Sequence, residues 1–148
     1  MTSTRARSGQ DVAGTQLTVW VLCVIDAGLL VASGVIHLHF WDIAYRHVAT
    51  LGPLFLVQLI AAFVVAVALV VTRKLIMVAA AFLLMGGTII GFILVRTVGL
   101  FGFKLPFTSG LAATVLVIEA VAVVLTAITA WVIVRRERVA GRRLSLFS

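Results

Sequence analysis

Acidic side chains are scarce in this sequence. Five Asp and Glu stand against twelve Lys and Arg, and charged residues of both signs make up only 11% of 148 residues. A soluble domain carries about 25% charged residues, so too few polar side chains exist here to coat a water-soluble globule. Cys23 is the single cysteine, which excludes a disulfide scaffold. Two prolines, Pro53 and Pro106, leave long stretches in which nothing interrupts a helix. The sequence also lacks a phosphate-cradling glycine loop with lysine, GxSxG, HExxH and CxxC. Nucleotide, hydrolase and zinc-protease chemistries therefore have no carrier, and an enzyme is not expected.

What the sequence does have is apolar surface, 63% of its residues, which also excludes intrinsic disorder. Four apolar runs cover residues 17–36, 54–71, 75–95 and 111–134, with lengths of 20, 18, 21 and 24. At about 1.5 Å of rise per residue, roughly 20 residues cross about 30 Å of hydrocarbon. Backbone groups in lipid must pair internally, so a span is a helix or part of a closed barrel. The runs show no period-two alternation, which excludes the barrel. The expectation is an all-α, integral membrane four-helix up-down bundle over residues 17–134. A flexible tail is expected at 1–16 and a basic tail at 135–148.

The linkers differ in kind. Thr72-Arg73-Lys74 is short enough to force antiparallel neighbours. In 39–51, Phe40, Ala44, His47, Val48 and Leu51 recur at helical spacing, which predicts an interfacial helix ended by Gly52-Pro53. Residues 96–110 are broken by glycine and proline and read as a loop with aromatic anchors. Positive residues mark the cytoplasmic side. Arg5, Arg7, Arg73, Lys74, Arg135, Arg136, Arg138, Arg142 and Arg143 fall on one side, against Arg46, Arg96 and Lys104 on the other. Both termini are therefore expected in the cytoplasm. Trp20 and Trp131 then lie near the inner interface, with Phe40, Trp41, Tyr45, Phe101, Phe103 and Phe107 near the outer one.

Polar residues inside the runs carry the candidate chemistry. An acid at the centre of a span costs about 2.5–3.5 kcal/mol on insertion scales, so it faces the bundle interior. Asp26, Ser33 and His37 share one face of the first run. Ala112, Glu119, Ala122, Thr126 and Ala130 form a small and polar stripe on the fourth. Counted from the outer ends of their runs, Asp26 and Glu119 lie at similar depth, which predicts that their two faces oppose each other. One reading is a proton or cation site; the other is a pair of neutral acids acting as interhelical glue. Gln58 joins the interior set, and Arg96 is placed to snorkel toward Glu119.

Three further patterns have alternatives. His37, His39 and His47, with Asp42 nearby, supply enough ligands for an outer-face metal or haem. Against this, His37 and His39 point to nearly opposite sides of a continuous helix. Gly87 and Gly91, Ala62 and Ala66, and Gly28 with Ala32 are small pairs four residues apart. They suit either packing within the bundle or contact with a second copy or another membrane protein. Arg135, Arg136, Arg138, Arg142 and Arg143 suit anionic lipid headgroups. Nucleic acid would need a folded soluble platform, which is missing.

The segments Gly34-Val-Ile-His37-Leu, Leu51-Gly-Pro-Leu-Phe-Leu-Val-Gln58 and Gly99-Leu-Phe-Gly-Phe103 together resemble a group of small four-span membrane proteins from high-GC Gram-positive bacteria. Ten arginines against two lysines suit a high-GC coding sequence. The resemblance implies a multi-pass plasma-membrane protein and carries no activity. The leading functional expectation is a non-enzymatic accessory or structural subunit acting through helix contacts. A proton-coupled or small-solute transporter using Asp26 and Glu119 is the second reading, and a histidine-ligated redox subunit the third.

Overall fold

A computed structural model describes residues 3–104 and 110–145, with side chains placed for residues 14–104 and 110–139. It is all-helical. Four helices run over Ser3–Phe40 (α1), Leu51–Thr72 (α2), Leu75–Thr97 (α3) and Gly110–Ser145 (α4). Four helical segments are long and apolar enough to cross a membrane: Gly14–Tyr45, which runs from α1 into the turn that follows it, Leu51–Thr72, Leu75–Thr97 and Gly110–Val139.

Each helix extends past its apolar run. Helix α1 begins at Ser3, inside the stretch expected as a flexible tail, and α4 continues to Ser145 through much of the expected basic tail. Neither extension contains proline, and propagating an existing helix fixes one residue per hydrogen bond gained. At its other end α1 passes without a break into a π-helical turn at Trp41–Tyr45, closed by the Arg46 N–H donating to the Trp41 carbonyl at 2.8 Å. The separate interfacial helix expected over 39–51 is thus replaced by an extension of α1 and a short turn. Gly52-Pro53 does not end a helix but opens α2. A proline in the first turn forfeits only an N–H that has no intrahelical partner. Gly52 is required there, because a Cβ would stand 2.7 Å from the Tyr45 carbonyl oxygen.

The α2–α3 link is as tight as its length demands. Arg73 takes left-handed backbone geometry (φ 52°) and caps α2, its N–H donating to the Leu69 carbonyl at 2.9 Å. After α3, Leu100 and Phe103 exchange both backbone hydrogen bonds, at 2.8 and 2.9 Å. Phe101 and Gly102 between them both have positive φ, 52° and 78°. This is the two-residue hairpin turn that requires left-handed residues at both central positions. Pro106 and Phe107 of the expected aromatic loop lie outside the described residues.

The four helices close a ring in which α1 packs on α2 and α4, and α3 packs on α2 and α4. The core is built on a repeat of three and four residues. Val19, Cys23, Asp26, Leu30 and Ser33 are buried on α1, and Val115, Glu119, Ala122, Thr126, Thr129 and Ile133 on α4. Ala62, Ala66 and Leu69 of α2 and Val78, Ala81 and Met85 of α3 complete it. An average near 3.5 residues keeps one stripe of each helix facing its neighbours along the bundle.

Candidate functional site

Apart from Gln58 of α2, the buried polar residues lie on α1 and α4. Thr129 lies 2.7 Å from Asp26, hydroxyl to Oδ2, and 3.0 Å from the carbonyl of Leu125. Farther along, the Ser33 hydroxyl donates to Oε1 of Glu119 at 3.2 Å. His37 Nδ1 is 2.8 Å from the Ser33 carbonyl. A carbonyl only accepts, so Nδ1 carries the proton in this contact. That leaves Nε2 turned toward Glu119, 3.9 Å from Oε1. Thr88 of α3 also brings its hydroxyl to Glu119, while lying 2.7 Å from the Met85 carbonyl. Asp26, Ser33, Glu119 and Thr129 are all buried.

The two acids therefore occupy two stations and do not face each other. The partners that define the stations are seven residues apart on α1 (26 and 33) and ten apart on α4 (129 and 119). At about 1.5 Å per residue this separates them by roughly 10–15 Å. The expectation of similar depth fails because α1 continues beyond its apolar run, so the end of the run is not a reference level. Thr126 donates to carbonyls of its own helix, Ala122 at 2.8 Å and Val123 at 3.0 Å. Thr129, three residues farther and on the same stripe, is the residue the sequence reading missed. Its spacing of seven from Ala122 was the available signal.

Gln58 is buried on α2, and among the described residues neither its Nε2 nor Asp26 Oδ1 has a hydrogen-bond partner. Arg96 stands over Phe92, 5.5 Å from the ring centroid, and the imidazole of His37 occupies the position beside Glu119. The histidines do not converge. His37 is largely buried, His39 and His47 are exposed, and among the described residues no three His, Cys, Asp or Glu side chains are placed to hold a metal. A helix turns about 100° per residue, which sends His39 away from the seam that holds His37.

Instead, aromatic side chains cap this end of the seam. Tyr45 stacks on Phe55 at 4.7 Å, His37 and Phe40 meet Phe55 at 5.3 and 6.3 Å, and Phe103 meets Tyr45 edge-on at 6.0 Å. Phe55 holds the cluster together. It reads in the sequence as one more apolar residue of the second run.

The small residues divide. Ala62 and Ala66 are buried, and Gly34 packs so closely that a Cβ there would lie 3.3 Å from Ala62 and Phe63. At Gly28, Gly87 and Gly91 an added Cβ would meet nothing within 4 Å among the described residues; Gly28 and Gly87 are exposed and Gly91 is half-buried. Gly87 lies two positions after buried Met85, about 200° around α3, and Gly28 stands in the same relation to Asp26. Of the basic set, Arg135 lies over Trp131, 4.0 Å from the ring centroid, and Arg136 and Arg138 are exposed. The side chains of Arg142 and Arg143 lie outside the described residues.

No protein-family model matches this chain, and no curated protein or solved structure matches it either.

Proposed function

We propose that the chain is a multi-pass protein of a bacterial plasma membrane, an up-down bundle with both termini cytoplasmic. In this reading it acts as a non-enzymatic accessory or structural subunit, through helix contacts with a second copy or another membrane protein. One observation carries the proposal: the acids pair with hydroxyls and an imidazole inside the chain, the arrangement of interhelical polar glue. Residue numbers rise along α1 as they fall along α4 at successive contacts, which supports alternating helix directions. The distribution of nine cations against three supports the orientation, and the bacterial assignment rests on the resemblance described above. Gly28, Gly87 and Gly91, where an added Cβ would meet nothing within 4 Å among the described residues, agree with helix contacts beyond the bundle.

Crosslinking in native membranes followed by purification tests this reading. A discrete crosslinked complex, of this chain alone or with a partner, is the expected result. A monomer that carries protons across liposome membranes overturns it in favour of the second reading, a proton-coupled or small-solute transporter. The unpaired Asp26 Oδ1 and Gln58 Nε2 are the observations that favour that alternative.

A further inference from the structure

A concave surface lies on the outside of the bundle between α3 and α4. It is shallow and open, with a volume of about 460 Å³, and is lined by Phe82 of α3 and by Val123, Val124, Ala127, Ile128 and Trp131 of α4. The groove is apolar throughout. Among the described residues its large side chains have no covering neighbour: Phe82, Val124 and Ile128 are exposed, and Trp131 is 54% exposed. At one end the character changes. Arg135, one helical turn beyond Trp131, places its guanidinium carbon over the indole, 4.0 Å from the ring centroid, with exposed Arg136 and Arg138 just beyond it and Glu137 between them.

Arg73 and Lys74 belong to the same end. Thr88 of α3 meets Glu119 of α4, and Phe82 shares the groove with residues 123–131. Numbers thus fall along α3 as they rise along α4, which carries Lys74 and Arg73 toward Arg135. The groove from Val123 to Trp131 is about 12 Å long at 1.5 Å per residue, which fits within one leaflet of about 15 Å.

We infer that this groove is a binding site for one anionic phospholipid, with an acyl chain along Phe82, Val124 and Ile128 and the phosphate held by Arg135. Apolar surface and cationic surface meet in the order in which an anionic lipid presents tail and headgroup. The cation–π contact with Trp131 keeps the guanidinium at the mouth of the groove, and guanidinium suits bidentate phosphate recognition. A protein helix laid in the groove would match the apolar part and leave the cations unanswered. The inference rests on the membrane-spanning reading above and goes beyond it by assigning a ligand.

The test uses the full chain carrying Trp20→Phe and Trp41→Phe, so that Trp131 is the sole tryptophan and is excited selectively. It is placed in phosphatidylcholine nanodiscs containing a small, equal fraction of brominated phosphatidylglycerol or brominated phosphatidylcholine. Brominated phosphatidylglycerol is expected to quench Trp131 more strongly and to saturate. Arg135→Gln lowers the preference about fivefold, the effect of one juxtamembrane cation. If that variant does not fold, Ala127→Phe fills the groove while keeping every charge, and brings quenching down to the phosphatidylcholine level. Equal quenching by both lipids overturns the site. So does a Trp131 that neither lipid reaches, which would mean that protein covers the face. Alkaline carbonate extraction of the cell membranes separates the two failures: release into the supernatant overturns the membrane-spanning reading itself.

Discussion

Asp26 and Thr129, 103 residues apart in the chain, meet at 2.7 Å in the buried seam between α1 and α4. Among the described residues it is the one hydrogen bond of the Asp26 carboxyl, whose Oδ1 has no hydrogen-bond partner. Thr129→Val keeps the side-chain shape and leaves both oxygens unsatisfied. It is expected to destabilise the protein by about 1–2 kcal/mol, read as a lowered Tm in detergent. The double variant Asp26→Leu with Thr129→Val removes both polar partners and recovers part of the loss. A Thr129→Val protein as stable as the parent would show that the pair holds nothing together.

Gly52→Ala tests how the π-helical turn is seated on α2. The added Cβ would lie 2.7 Å from the Tyr45 carbonyl and 3.3 Å from that of Arg46. Both obstacles are backbone, so no rotamer change relieves them. The expected cost is about 1–3 kcal/mol, the range for overpacking, with separation of Tyr45 from Phe55 as its visible consequence. Gly87→Ala, at a position with nothing within 4 Å, is the control. It is expected to leave the stability of the isolated chain unchanged or slightly raised, since alanine favours the helix. Thermal unfolding of the two variants side by side decides the matter.

These two sites also show what the residues disclosed in advance. Asp26, Ser33 and His37 could be placed on one face because a helical period needs no knowledge of the neighbours. The same arithmetic reaches Thr129 from Glu119 and Ala122, but a step of four from Thr126 led to Ala130 instead. Depth was less accessible. An apolar run ends where the composition changes, whereas α1 ends where its hydrogen bonding ends, at the π-helical turn. Gly87 and Gly91 announced a close approach without saying to what; buried Val78, Ala81 and Met85 decide the face. The Tyr45–Phe55 stack depends on how two helices are set against each other, and no local pattern encodes that.

Orientation gives a prediction independent of stability. With Cys23→Ala as background, Lys104→Cys is expected to react with a membrane-impermeant maleimide in intact cells. Arg138→Cys is expected to react only in inverted vesicles. Both positions are exposed and flank opposite ends of the proposed bundle. The cation asymmetry is the physical basis. The reverse labelling pattern would overturn the orientation while leaving the helices themselves intact.

Glu119 distinguishes a structural acid from one that exchanges protons. Its Oε1 accepts from Ser33 at 3.2 Å and faces His37 Nε2 at 3.9 Å, and Thr88 reaches it from α3. Glu119→Gln keeps a carbonyl oxygen for the Ser33 hydroxyl and an amide that can donate to Thr88, but it cannot carry a proton to and fro. If Glu119 is glue, the glutamine variant accumulates normally, stays within about 1 kcal/mol of the parent in thermal unfolding, and keeps its crosslinked partner. Glu119→Leu removes the acceptor, leaves the seam hydroxyls without it, and is expected to lower Tm and protein level together. If Glu119 instead takes part in transport, the glutamine variant folds and crosslinks but loses proton flux in liposomes. A folded glutamine protein without flux, beside a parent that has it, would therefore displace the accessory-subunit reading.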